Sequence, residues 1–92
     1  MQITVHFEAQ VRRAAGVAGM AIPFDSPCSA AELVERVGQT AAEPLRRVLL
    51  DDSGRVRPTV MVFCDDEHVP LTSTRRFDGA SSVTLTSPIS GG

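Results

Sequence analysis

The sequence predicts an α+β fold in which a mixed sheet of four to five strands packs on one main helix. Three observations carry that expectation. Apolar residues alternate near both ends of the chain, at Ile3, Val5 and Phe7 and again at Val83 and Leu85. Between them, Ser29-Ala30-Ala31-Glu32 opens a stretch with helical apolar spacing. A near-continuous apolar run, Thr59-Val60-Met61-Val62-Phe63-Cys64, follows later. At 92 residues the chain makes one small domain, and a chain of this size buries roughly 60–70% of its unfolded surface, enough for a single core.

Taken in order, Ile3, Val5 and Phe7 alternate with Gln2, Thr4 and His6, the period of a half-buried strand with His6 on its polar face. Glu8 to Gly19 reads as an Ala- and Gly-rich connection carrying Arg12-Arg13. A second strand puts Met20, Ile22 and Phe24 on one face, and Pro23 within it either assigns it to a sheet edge or ends it there, because proline removes a ladder donor. Asp25-Ser26-Pro27-Cys28 turns the chain into the main helix. Ser29 and Glu32 have the spacing of a capping box, in which each side chain takes the other's orphan backbone N–H. Ala30, Leu33, Val34 and Val37 share one helix face, opposite Glu32, Glu35 and Arg36, and Gly38 is the expected stop. Pro44 suits the first turn of a shorter helix with Leu45, Val48 and Leu49 apolar and Arg46-Arg47 exposed, ended by Asp51-Asp52-Ser53-Gly54.

The run Thr59 to Cys64 predicts a strand buried on both faces or central in the sheet. Asp65-Asp66 turns it into a short return strand, Glu67-His68-Val69. Leu71 and Phe77 are candidate core anchors either side of a polar loop; Asp78-Gly79 turns into the last strand, Ser82 to Thr86. A right-handed crossover through the helix sets the first and last strands side by side at the sheet centre. That is the β-grasp arrangement, with residues 1–86 as the domain and residues 87–92 as a flexible tail.

Composition excludes several classes. The net charge is −2, and four Phe with no Trp or Tyr offer little for stacking bases, so no nucleic-acid partner is expected. No apolar run approaches the roughly 18–20 residues that span a bilayer, so no membrane partner is expected. Met1 to Val5 alternates like a strand and lacks a basic leader region, which predicts a cytoplasmic protein. All nine basic residues are Arg. Cys28 and Cys64 belong to no CxxC or Cys/His metal spacing; Cys64 reads as a small buried hydrophobe. Cys28 stands before a helix N-terminus, where a thiol pKa can fall, but it reads as structural or incidental. His68 beside Asp65-Asp66 falls short of a metal set. With no nucleophile–base–orienter set and no glycine-rich phosphate loop, neither catalysis nor a bound cofactor is expected.

In the stretch Ser87-Pro88-Ile89-Ser90-Gly91-Gly92 the two glycines serve no core, because they have no side chains to bury. The stretch offers a thin, unbranched peptide and a carboxylate with no Cβ beside it. His6-Phe7-Glu8-Ala9-Gln10-Val11-Arg12, Ser29-Ala30-Ala31-Glu32-Leu33, and Phe77-Asp78-Gly79 with Val83-Thr84-Leu85 and the Pro88-Ile89-Ser90-Gly91-Gly92 ending resemble, in that order, segments of the molybdopterin synthase small subunit. The chain thus resembles a ubiquitin-like sulfur carrier of the molybdopterin synthase small-subunit and thiamine sulfur-carrier superfamily. Asp52 to Pro58 is more similar to the sulfur carriers of thiocarboxylate-dependent cysteine synthesis, and Cys64-Asp65-Asp66 replaces the Asn and Gly of many relatives.

The resemblance implies an E1-like adenylyltransferase/sulfurtransferase that uses ATP and Mg²⁺ to adenylate Gly92, after which sulfur replaces AMP to give a thiocarboxylate. Gly91 would let the backbone through a tight channel; Ser90, Ile89 and Pro88 would complete tail recognition, Ile89 in an apolar groove and Pro88 stiffening the root. The acceptor would be a molybdopterin synthase large subunit or, next, a cysteine synthase-like enzyme or another thio-metabolite pathway. Two alternatives stay open. One is a ubiquitin-like modifier joined to target lysines through Gly92, unable to build Lys-linked chains on itself because it has no Lys. The other is a β-grasp interaction domain with an incidental Gly-Gly.

Overall fold

The alternation at the start of the chain becomes β1 (Gln2–Glu8), with Ile3, Val5 and Phe7 buried and the residues between them exposed. In the computed structural model, which describes residues 1–88, there follow α1 (Ala9–Ala15), β2 (Gly19–Pro23), α2 (Ala30–Thr40), α3 (Leu45–Leu49), β3 (Met61–Cys64), β4 (Glu67–Val69) and β5 (Ser82–Ser87). The five strands lie in the order β2-β1-β5-β3-β4. β1 and β5 pair in parallel, Val5 opposite Val83 and Phe7 opposite Leu85, and every other pair is antiparallel. The first and last strands therefore meet at the centre, and Pro23 lies on an edge strand, both as the sequence predicts.

One face of the sheet carries the core. Leu33, Val34 and Val37 of α2, with Leu49 and Leu50, cluster with Ile3, Val5, Val62, Val83 and Leu85, all at most 2% exposed. Full burial of such side chains stabilises by roughly 1.5–3 kcal/mol each. The capping box forms: the Glu32 N–H donates to Ser29 Oγ at 3.2 Å, and the Ser29 N–H donates to Glu32 Oε1 at 2.8 Å. Phe77 is fully buried and exchanges two backbone hydrogen bonds with Cys28, at 2.7 and 3.1 Å, which ties the irregular segment after β4 to the start of α2. Asp65 and Asp66 both take left-handed backbone angles (φ 51° and 69°), the conformation of a two-residue hairpin turn that Asp tolerates.

Several expectations are corrected. The connection after β1 contains a helix, α1, which buries Val11 and ends at Gly16 in the left-handed conformation. In β2, an edge strand, only Ile22 is buried; Met20 is exposed, and Phe24 is half-buried under the Arg36 guanidinium, 4.7 Å from its ring centre. Gly38 does not stop α2, which continues to Thr40. A Cβ at Gly38 would lie 2.6 Å from Leu50 Cγ, so glycine is there for close packing. β3 begins at Met61 rather than Thr59 and is not buried on both faces: Val62 and Cys64 are buried, whereas Met61 and Phe63 are half-buried on the face that no helix covers. β5 extends to Ser87, one residue beyond the expected end.

Candidate functional site

The site is the point where the chain leaves β5. Hydrogen-bonded neighbours hold β5 along both edges, Thr86 pairing with Glu8 on one side and Met61 on the other. Beyond Glu8 the chain turns away into α1 through Ala9, whose φ of 54° lies in the left-handed region that a Cβ disfavours. Ala9 still bridges to Ser87, so the ladder fixes the backbone up to that residue. Ser87 is only 4% exposed and Pro88 is exposed. The chain thus passes from core to surface in one step, at a root held by the most central strand.

Two grooves flank Pro88. On one side stand Gln10 of α1, Pro44, Arg47 and Val48 of the α3 region, and Arg57. On the other stand Pro58, Met61, His68, Pro70 and Leu71, a mainly apolar surface on the uncovered face of the sheet. Arg57 reaches the first groove because its backbone N–H donates to the Leu49 carbonyl at 2.9 Å, next to the Leu50–Val56 bridge. Its Nε then donates to the Arg47 carbonyl at 2.7 Å. Of the tail residues singled out by sequence, Pro88 lies at this root, whereas Ile89, Ser90, Gly91 and Gly92 lie outside the described residues. The grooves join segments distant in sequence, and their one sign in the sequence is the exposed pair Arg46-Arg47.

Both thiols are shifted away from the activated range. Burial pushes the Cys28 thiol up, and Glu32 adds to the rise against the opposing pull of Arg76 and Arg36. Burial also pushes Cys64 up, with Arg75 opposing and Asp65 adding. His68 packs against Phe63, ring centres 5.5 Å apart. Among the described residues no three His, Cys, Asp or Glu side chains gather as a metal site, and no helix is long and apolar enough to cross a membrane.

Known structures resolve the architecture. SAMP1 from Haloferax volcanii superposes with a TM-score of 0.76 at 19% identity, covering 100% of both chains. Urm1 from Trypanosoma brucei gives a TM-score of 0.71 at 18% identity, over 99% of this chain and 95% of the other. Urm1 from Sulfolobus solfataricus gives 0.60 at 8% identity, over 91% and 97%. The fold is the ubiquitin-like β-grasp. No family model and no curated protein matches the sequence significantly. At these identities the likeness establishes the fold alone.

Proposed function

We propose that this chain is a ubiquitin-like carrier whose Gly92 carboxylate is adenylated by an E1-like enzyme using ATP and Mg²⁺. One juxtaposition carries the reading: a β-grasp domain whose central strand delivers Pro88 to the surface, followed at once by Ile89-Ser90-Gly91-Gly92. A rigid root with a slender extension lets a docked domain present a carboxylate inside a partner's active site. The carboxylate attacks the α-phosphorus of ATP and pyrophosphate leaves. The resulting mixed anhydride has the leaving group that a free carboxylate lacks. A persulfide on the partner then attacks the acyl carbon and expels AMP, and a thiol reduces the acyl disulfide to the thiocarboxylate. The raised thiol pKa values of Cys28 and Cys64 fit a protein that brings sulfur on its tail and leaves catalysis to others.

The acceptor is the finer step. The start and end motifs favour molybdopterin synthesis with a synthase large subunit, and the Asp52 to Pro58 segment favours a cysteine synthase-like partner next. A modifier reading has equal support from the structural neighbours, one of which is named a small archaeal modifier protein. Activation at Gly92 is common to both.

The test is fragment mass spectrometry of the protein after incubation with its host's E1-like enzyme, ATP and a sulfur source. Fragments are needed because oxygen-to-sulfur exchange changes the mass almost as oxidation of Met20, Met61 or a cysteine does. Sulfur located on Gly92, and absent from a variant lacking that residue, is the expected result. A tail neither adenylated nor thiolated by an enzyme shown to be active overturns the reading in favour of an interaction domain. Slow-migrating conjugates of a tagged protein, lost with Gly92, identify the modifier branch.

A further inference from the structure

The arginines are not spread evenly. Segments 8–16 and 43–57, which hold α1, α3 and the turn after it, carry six of the nine arginines and four of the eleven carboxylates. That leaves these segments at a formal +2 in a chain of −2, with the remainder at −4. The two segments meet at the groove beside Pro88, where Gln10 from the first stands with Arg47 and Arg57 from the second. Among the described residues, Arg12, Arg13, Arg46, Arg55 and Arg57 have no carboxylate at ion-pair distance, and Arg47 meets only Glu43, at 3.6 Å and largely solvated. Arg57 is half-buried and held in place through Nε, and no described residue takes a hydrogen bond from its two Nη groups.

We propose that this basic groove docks an acidic surface on the adenylating enzyme and sets the direction in which the tail enters its active site. The inference rests on the proposed function and adds the partner's surface chemistry to it. Arginine is suited to the task because its planar fork pairs two N–H groups with one carboxylate. Guanidinium groups beside Pro88, that of Arg57 held in place, also orient the encounter, and steering of this kind raises association rates by about 10- to 1,000-fold at low salt. A protein partner is favoured over nucleic acid because the groove is a short patch with no aromatic ring on which a base could stack.

Initial rates of ATP–pyrophosphate exchange by the host's E1-like enzyme test the proposal. The R47E/R57E double variant is expected to raise the KM for the carrier at least about tenfold while kcat stays within about twofold. Salt should raise the wild-type KM and move the variant's much less. R47K/R57K keeps the charge but loses the fork and the Arg57 Nε bond, so it should recover only part of the affinity, with a KM between those of the wild type and R47E/R57E. R36E and R75E, placed away from the groove, should leave KM within about twofold. R47E alone, at a side chain 74% exposed, serves should the double variant lose its fold. An unchanged KM in the groove variants, or an equal rise in the R36E and R75E controls, overturns the proposal, as does retention on RNA without any change in exchange kinetics. A wild-type chain that supports no exchange with an active enzyme overturns the proposed function itself and the docking surface with it.

Discussion

Arginine does different work in two regions of this molecule. Around the start of α2 and the segment after β4, arginines are consumed internally. Arg76 Nη1 meets Glu32 Oε1 at 2.7 Å, Arg75 Nη1 meets Glu67 Oε1 at 2.8 Å, and Arg36 donates to the Pro23 carbonyl at 3.1 Å while covering Phe24. These contacts clip an irregular segment onto a helix and a hairpin. Around Pro88, by contrast, arginines stand on short elements with few described carboxylates to answer them. The difference teaches that the same side chain stabilises where the fold supplies its partner and remains available for binding where the fold does not.

The largest way to break the comparison is to remove what the internal arginines assist. Phe77 is fully buried and bridges to Cys28 beside the α2 cap. Phe77→Ala should cost about 3–5 kcal/mol, a large share of the roughly 5–15 kcal/mol that keeps a small domain folded. Urea denaturation should show the midpoint falling at nearly constant slope. A loss below about 1 kcal/mol would mean that the segment is held by its ion pairs instead.

Acid separates the two regions with a smaller effect. Glu32, at the arginine-clipped region, has its pKa lowered by the Ser29 backbone N–H, then by the Ser29 side chain and, more weakly, by Arg76. Asp51, in the turn between α3 and Arg57, has its pKa lowered by the Ser53 hydroxyl and the Arg55 N–H. Both folded-state values lie below their unfolded ones. Each group therefore contributes stability that is fully present above its unfolded pKa and is lost as pH falls through the folded one. Glu32→Gln and Asp51→Asn should each be less stable than wild type at neutral pH. Each gap should shrink as pH falls below the unfolded carboxylate range and close once the folded wild-type carboxylate is itself protonated. A gap that persists unchanged in acid would assign the effect to lost packing rather than charge.

Legibility followed how local the determinants are. β1, β5 and α2 were readable because a two-residue period, a helical stripe and a capping box are written in adjacent residues. α1 was not. It is seven residues long, Glu8 caps it with no side-chain bond, it buries only Val11, and it begins at an alanine in the left-handed region. Glycine so often ends helices that Gly38 reads as a stop, but its reason is Leu50, a contact from another element. The apolar run of β3 suggested burial on both faces, yet Met61 and Phe63 lie on a face that no helix covers. In the site, Pro88 was legible from the tail motif. Arg57 was not, because a bridge between Leu50 and Val56, and not any sequence period, brings it beside Arg47.

The smallest effects sharpen the comparison most, because they should cross. The Arg75–Glu67 pair is short but solvent-exposed, with side chains 40% and 75% accessible, and pairs of this kind contribute about 0–1 kcal/mol, less in salt. The Arg47–Glu43 pair is longer, at 3.6 Å, and more exposed on the arginine side, so it should contribute still less. Arg75→Ala should therefore lower stability slightly and leave the KM for adenylation unchanged. Arg47→Ala should leave stability unchanged and raise that KM. Denaturation midpoints and exchange kinetics on the same two proteins decide the matter. If each substitution moved both readouts together, the division between stabilising and binding arginines would fail, since a shared loss of fold would account for both.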